Sequence, residues 1–364
     1  MRCVAVVADE PRDGEPRAPE LEIVRAGDLA IPRYRELAFG YEREALTYAI
    51  TPDAVAHVLA GDDVDAALFI KQESLVVGGL GAILHGLDQQ SVVLTPHLLE
   101  ALEGQDAAQR ELMISCAGIY NAGVIGVRAD DCGRSFTAWW ASRVRDDCVI
   151  DPAAGLHYEQ RWLDLVPALF GNVGVVRDPG ANVGHWNMRE RRVSLSGDRV
   201  TVNGGPGAVI RFSGYEPERP DAVTKYTRRP GMGELHGAAD VFARYRELLI
   251  DAGYDEASHA PYAYARFADG TVIPPLAREL YRAGRRDGRW AGDPFAGGPG
   301  SFREWVATPC GTGAPVVSRF WHEVWLRRKD LQSEFPDHLG ADRPRFTEWI
   351  RAFGRSEHEA PDEL

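Results

Sequence analysis

Lysine is almost missing from this chain. Only Lys71, Lys225 and Lys329 stand among its 41 basic residues, and the rest are arginine. GC-rich coding explains the skew, and it makes each surviving lysine more informative. Basic residues are also outnumbered by 54 acidic ones, for a net charge of −13. That balance argues against a nucleic-acid partner, whose phosphates need a basic face, and mainly supports solubility. There is no run of 18 apolar residues, which excludes a membrane-spanning helix. The opening MRCVAVVADEPRDGEPR turns polar after Ala8 and lacks the apolar stretch and cleavage site of a secretory signal. The five cysteines form no CxxC, and no Cys or His pair has ligand spacing. Reduced thiols in a cytoplasm are expected, with neither a disulfide framework nor a structural zinc. Phosphate-binding and hydrolase signatures are missing too: no Walker loop, no GxGxxG after a strand, no GxSxG and no HExxH.

What is present is globular. Nine Trp, twelve Tyr and thirteen Phe rule out disorder for most of the 364 residues. The length suits two domains or one large one. Up to about residue 230, strands and helices alternate. Apolar runs at 2–8, 66–70, 75–77, 91–95, 123–127 and 172–176 read as strands, and 134–147 and 158–166 read as helices. Thr51, Pro52 and Asp53 read as a helix start, stopped by Gly61. Segments 192–195 and 199–203 read as a hairpin around Ser196-Gly197-Asp198, followed by a strand at 208–212. This pattern predicts an α/β sheet flanked by helices. After Gly214 the apolar spacing becomes helical, at 238–249, 275–283, 302–306, 316–331 and 345–353. The polar ending RSEHEAPDEL is expected to fray.

Several segments carry candidate chemistry. Gly78-Gly79-Leu80-Gly81 reads as a strand-to-helix turn rather than a phosphate cradle. Asn121 enters an apolar strand beside Gly123 and Gly126, where a backbone can approach a ligand closely or simply pack closely. His157 to Trp162 places polar groups at a helix start, for a ligand or for capping. Asn182-Val183-Gly184-His185-Trp186-Asn187 combines a flat apolar face with directional amides, a composition that suits a sugar. Arg211 ends a strand with a cation.

In order, YNAGVIGVR, FTAWWASRVRDDCVIDPAAGLHYEQRWLDLVP, VVRDPGANVGHWNMRER and IRFSGYEP resemble a bacterial family of GT-A-fold glycosyltransferases, related to the retaining glycogenin and galactosyltransferase group. The residues at 262–267, 269–270, 273–275 and 330–335 resemble the helical module such proteins carry. The resemblance implies a GT-A-like (Rossmann-like) mixed sheet over residues 1–215, an α-helical module over 216–354 and a polar tail over 355–364. It implies a nucleotide-sugar donor and retention at the anomeric carbon. Asn121 and Gln160 would line the donor-sugar pocket, with Glu159 where the family usually has Asp. Asn182, His185 and Trp186 would sit near the reacting face.

Four departures from the family bear on mechanism. Such proteins usually open with a strand that helps form the nucleotide-base pocket; here Met1 stands at what reads as the next strand, so part of that pocket is expected to be absent or built differently. The family's Y-x-D-x-D metal motif stands here as Phe69-Ile70-Lys71-Gln72-Glu73. The histidine of its HFSG strand end is Arg211. A lysine expected in the preceding helix is Thr51. A divalent ion would be repelled by Lys71 and Arg211, at about 4 kcal/mol each for charges ~4 Å apart in a medium of dielectric near 20. Together the two cations could carry the lost metal's charge and stabilise a leaving diphosphate. Alternatively, they pair with Glu73 and Glu216 in a structural ion network. The expected catalytic residues are therefore Gln160, Glu159, His185 and Arg211. The expected substrate contacts are Lys71, Glu73, Asn121, Asn182, Trp186 and Lys225, and no metal or other cofactor is expected. Three functions follow: metal-independent sugar transfer from a nucleotide donor to a small natural-product acceptor; the same fold turned to a different tailoring reaction, with His185, Glu159 and Arg211 as acid/base or electrophilic groups; or a non-catalytic relative that supports a partner.

Overall fold

The computed structural model describes residues 1–12, 20–227, 231–235 and 237–364. The chain gathers into two compact units. One joins Met1–Thr47 with Pro261–Leu364, and the other is Tyr48–Ala260. The division thus falls elsewhere than residue 215, and the first unit is discontinuous in sequence. In that unit β1 (Val4–Val7) runs parallel to β2 (Glu22–Arg25). They form a sheet of their own, so the expected strand at 2–8 exists but, among the described residues, pairs with β2 alone.

The second unit holds the site. Its strands are β3 (Ala66–Ile70), β4 (Ser74–Val76), β5 (Val92–Pro96), β6 (Tyr120–Arg128), the short pair β7 (Ile150–Asp151) and β8 (Leu156–His157), and β9 (Val173–Val175). A four-stranded mixed sheet has the order β3-β6-β5-β9, with β6 antiparallel to both neighbours and β5 parallel to β9. Val93 and Val124 bury with Ile83 and Leu87 of the helix Gly81–Gln89. Val127, on the opposite face by alternation, lies against Gly133 of the helix Asp131–Asp147. Both faces are covered, which is why β5 and β6 are buried at successive residues, with apolar runs at 92–94 and 122–127, rather than alternating.

β10 (Val193–Ser196), β11 (Arg199–Val202) and β12 (Gly205–Pro206) form an antiparallel meander, and β13 (Val209–Arg211) pairs with β4. The β10–β11 hairpin turns at Gly197-Asp198, with Gly197 at φ 57°. The helix Ala238–Asp251, expected in the C-terminal module, belongs to this unit. Its Val241, Phe242 and Tyr245 bury with Val193, Val200 and Phe212, and the Tyr245 ring stacks on Phe212 at 3.7 Å.

Three local expectations are corrected. Residues 158–166 are not one helix, because Tyr158 sits at φ 46° and cannot begin one. A 3₁₀ turn, Arg161–Leu165, and a short helix, Val166–Leu169, follow. Thr51 does not cap its helix. It is buried inside the helix start, with Ile50 in the cap position. The helix expected at 316–331 begins at Arg319 and breaks at Arg328, whose backbone is extended.

In the first unit, Phe39 is enclosed by the rings of Phe267, Tyr281, Phe295 and Phe302. The buried Arg278 guanidinium donates to the carbonyls of Phe39, Tyr41 and Tyr264. The polar ending does not fray. Ala360 and Leu364 are buried, and Trp321 Nε1 donates to the Leu364 carbonyl at 2.9 Å.

Candidate functional site

Strand direction decides where polar residues gather. Because β6 is antiparallel to β3 and β5, its start lies at the edge where those two strands end. Lys71 follows β3, His97 follows β5, and Asn121 is the second residue of β6. This is the strand edge at which open α/β sheets bind ligands. β13 delivers Arg211 to the same place, since its backbone N–H donates to the Val183 carbonyl and its side chain reaches Asn121 and Glu73.

Asn121 is the hub, buried and saturated. Its Oδ1 accepts from the Gly123 N–H at 2.9 Å, Asn182 Nδ2 at 3.1 Å and Arg211 Nη1 at 3.5 Å. Its Nδ2 donates to Gln160 Oε1 at 3.1 Å and meets His97 Nε2 at 3.0 Å. Gln160 is equally committed: Oε1 also accepts from the Ala122 N–H, and Nε2 donates to the Ala117 carbonyl. Asn182 Nδ2 donates to Thr95 Oγ1 at 2.7 Å as well. Asn187 fastens the 182–187 loop by donating to the carbonyls of His97 and Asn182.

Two ion pairs flank this hub. Lys71 Nζ bonds Glu159 Oε1 at 2.6 Å, both side chains being buried, and lies 3.6 Å from the centre of the Tyr48 ring. The short β7–β8 pair leads directly into Glu159, whose carbonyl is held by Trp140 Nε1 at 2.9 Å. Arg211 Nη2 bonds Glu73 Oε1 at 2.6 Å. Burial tends to raise the Glu73 carboxyl, but Arg211 and Lys71 beside it prevail and hold it below the usual carboxylate range. The expected alternative pairing is half realised: Arg211 takes Glu73, whereas Lys71 takes Glu159 and Glu216 binds Arg219.

Gly123 explains how a guanidinium fits here. A Cβ at that position would coincide with Arg211 Nη1 and lie 2.6 Å from Asn121 Oδ1. The close approach foreseen for a ligand beside this glycine is filled by a side chain of the protein itself.

The histidines of the site are neutral. Burial pushes His97 down to about 3. Burial, with Arg211 nearby, pushes His185 down to about 4. The Trp186 ring meets both, edge-on, at 5.3 Å and 5.2 Å. Glu159 Oε2, Asn182 Oδ1 and Trp186 Nε1 are buried without a hydrogen-bond partner among the described residues. Hydroxyl groups of a ligand would complement such atoms.

The structure therefore brings together Lys71, Glu73, Asn121, Glu159, Gln160, Asn182 and Arg211, with His185 and Trp186 alongside. Lys225 is exposed, and its ammonium lies 5.4 Å from the centre of the Tyr226 ring, which is itself 6.3 Å from the His185 ring. Sequence reasoning missed His97 and Thr95. The available signal was the polar ending of the SVVLTPH run, beside the polar ends of β3 and β6.

The donor set does not fit a divalent cation. Its two acidic side chains are each bonded to a cation of the protein, and arginine cannot ligate. Asp62, Asp63 and Asp65 precede β3, at the far end of a five-residue strand from Lys71. A shallow depression of about 330 Å³ lined by Asp53, Arg134 and Arg145 contains none of the expected site residues. Its Asp53–Arg145 pair, at 2.8 Å, joins two helices and reads as packing.

No known family model matches the chain. It is similar to two proteins of Bacillus subtilis (strain 168). Uncharacterized protein YfnF is 34% identical over 108 residues, 29% of this chain and 36% of that relative. Uncharacterized protein YfnD is 29% identical over 104 residues, 27% of this chain and 32% of that relative. The matched region spans about a third of the length of these curated relatives.

Proposed function

We propose that the chain is a GT-A-like glycosyltransferase that moves a sugar from a nucleotide donor to a small-molecule acceptor without a divalent metal. The observation that carries this reading is the placement of Lys71 and Arg211. Both cations flank Asn121 at the strand edge, where the resembled family holds its metal. As the bond from the anomeric carbon to the diphosphate breaks, negative charge grows on the leaving group. Fixed cations in a site of low dielectric stabilise that charge. Glu73 and Glu159 keep the two cations from repelling one another until a diphosphate arrives. A cytoplasmic setting accords with five unpaired cysteines. Among the described residues no helix is long and apolar enough to cross a membrane.

The test is a thermal-shift screen of nucleoside diphosphates and nucleotide sugars, in EDTA. A ligand at about 100 times its Kd adds ~2.7 kcal/mol of stability. Lys71→Ala and Arg211→Ala should each weaken that gain and lower turnover once an acceptor is found, and Glu73→Ala should matter less. Loss of activity on chelation, with recovery in Mn²⁺, would overturn the metal-independent mechanism. A second reading, a GT-A-like scaffold that has left nucleotide sugars for another tailoring reaction or for partner binding, is favoured by one observation. Both cations are already neutralised, and the Gln160 amide is spent on Asn121 and backbone. No stabilisation by any nucleotide would favour that reading.

A further inference from the structure

We propose that His97 is a positioning residue: as a neutral acceptor at Nε2 it fixes the Asn121 amide, and through Asn121 it sets the place of Arg211. The geometry runs in one direction. His97 Nδ1 lies 3.3 Å from the Ile119 carbonyl, which can only accept, so that nitrogen carries the proton. Nε2 is then a lone-pair acceptor facing Asn121 Nδ2 at 3.0 Å. With one amide proton on His97 and the other on Gln160, Asn121 Oδ1 is turned toward its three donors, the Gly123 N–H, Asn182 Nδ2 and Arg211 Nη1.

The Arg211 contact is the longest of these, at 3.5 Å, so a small rotation of the amide removes it first. The ring is itself well held. The His97 N–H donates to the Ile119 carbonyl, its carbonyl accepts from Asn187, and Trp186 packs edge-on against the imidazole. His97 thus ties the end of β5 to the start of β6 and to the 182–187 loop. Its burial and its depressed basicity agree with a ring that stays neutral.

The consequence for diphosphate binding rests on the glycosyl-transfer reading, whereas the positioning of Asn121 does not. The full-length chain, labelled with ¹⁵N-histidine, is examined by long-range ¹H–¹⁵N correlation between about pH 5 and 8, the range in which an ordinary histidine titrates. One ring, assigned to His97 by its loss in His97→Gln, should carry its proton on Nδ1 throughout. An Nε2-protonated ring, or one that titrates in this range, overturns the proposal.

Binding of inorganic pyrophosphate is then measured by calorimetry. His97→Leu should weaken it about fivefold, the worth of one hydrogen bond. His97→Gln, whose amide oxygen can accept from Asn121, should stay within about twofold of the wild type. Equal losses in both variants, or none in either, overturn the functional part. If the wild type itself binds no pyrophosphate, the diphosphate reading fails. The tautomer then decides the positioning, together with recovery of the His97→Leu unfolding midpoint by Gln at the same position. Should His97→Leu fail to fold, the tautomer and the Gln variant still give the answer.

Discussion

Replacing Gly123 by alanine adds one methyl group to the middle of β6, and its effect should be large and of unexpected sign. Gly123 is not among the glycines at positive φ, so its backbone accepts any residue. On that ground alone, Gly→Ala should stabilise by about 0.4–1 kcal/mol through the unfolded chain. The structure predicts the reverse. The new Cβ would occupy the position of Arg211 Nη1, and neither the strand, buried on both faces, nor Asn121 Oδ1 at 2.6 Å can give way. The guanidinium must leave, which breaks its 2.6 Å pair with Glu73 in a site where Arg211 is 2% exposed. Breaking a buried pair typically costs about 3–5 kcal/mol. At roughly 2–4 °C per kcal/mol for a unit of this size, the melting temperature should fall by about 6–20 °C. Urea unfolding of Gly123→Ala, Arg211→Ala and the double variant forms the assay. With no guanidinium to displace, the second methyl should cost almost nothing in the Arg211→Ala background. A neutral or stabilising Gly123→Ala, or strictly additive costs, would refute the cradle.

Lys71→Met should strand the buried Glu159 carboxylate and cost about 3–5 kcal/mol, most of it regained in Lys71→Met/Glu159→Gln; additive losses in urea titrations would argue against the pair. His97 and His185 stay neutral when folded but take up protons when unfolded below about pH 6.5. The unfolded state then binds more protons, so stability rises with pH and is lost as pH falls from there toward the folded values of about 3 and about 4. His97 alone should account for about 2 kcal/mol lost by pH 5. Denaturant midpoints at pH 7 and 5 measure it, and the loss should shrink in His97→Gln. Deleting residues 355–364 should destabilise the first unit by about 1–3 kcal/mol and lower its urea midpoint accordingly, because it removes the partner of a buried indole. An unchanged midpoint would mean that this contact contributes nothing.

The strands β3, β5, β6, β9 and the β10–β11 hairpin were legible because each rests on a local cue, an apolar run or a Gly-Asp turn. The domain division was not. Which elements share a core depends on contacts far apart in sequence: nothing local to Val241 and Phe242 says that they meet Phe212 rather than the later helices. The same limit separates the site residues. Asn121, Gln160, Asn182 and Arg211 stood out by type, since polar groups in apolar surroundings need partners. That Arg211 fills the space above Gly123, or that Lys71 chooses Glu159 over Glu73, follows from packing between strands. Tyr158 escaped for a different reason, as no side chain advertises a positive φ outside glycine and asparagine.

The discontinuous first unit has a consequence for biosynthesis. Phe39 and Tyr41 leave the ribosome about 240 residues before the Arg278 guanidinium that caps their carbonyls, and the rings that enclose Phe39 come at about the same time or later still. At translation rates of about 5–20 residues per second, that interval is roughly 10–50 seconds. Within it, the second unit acquires all of its own residues before the first has any of these aromatic partners. Phe39 and Leu37, both fully enclosed in the finished protein, are then exposed apolar groups on a waiting segment. This is the interval in which a nascent-chain chaperone would find its binding site.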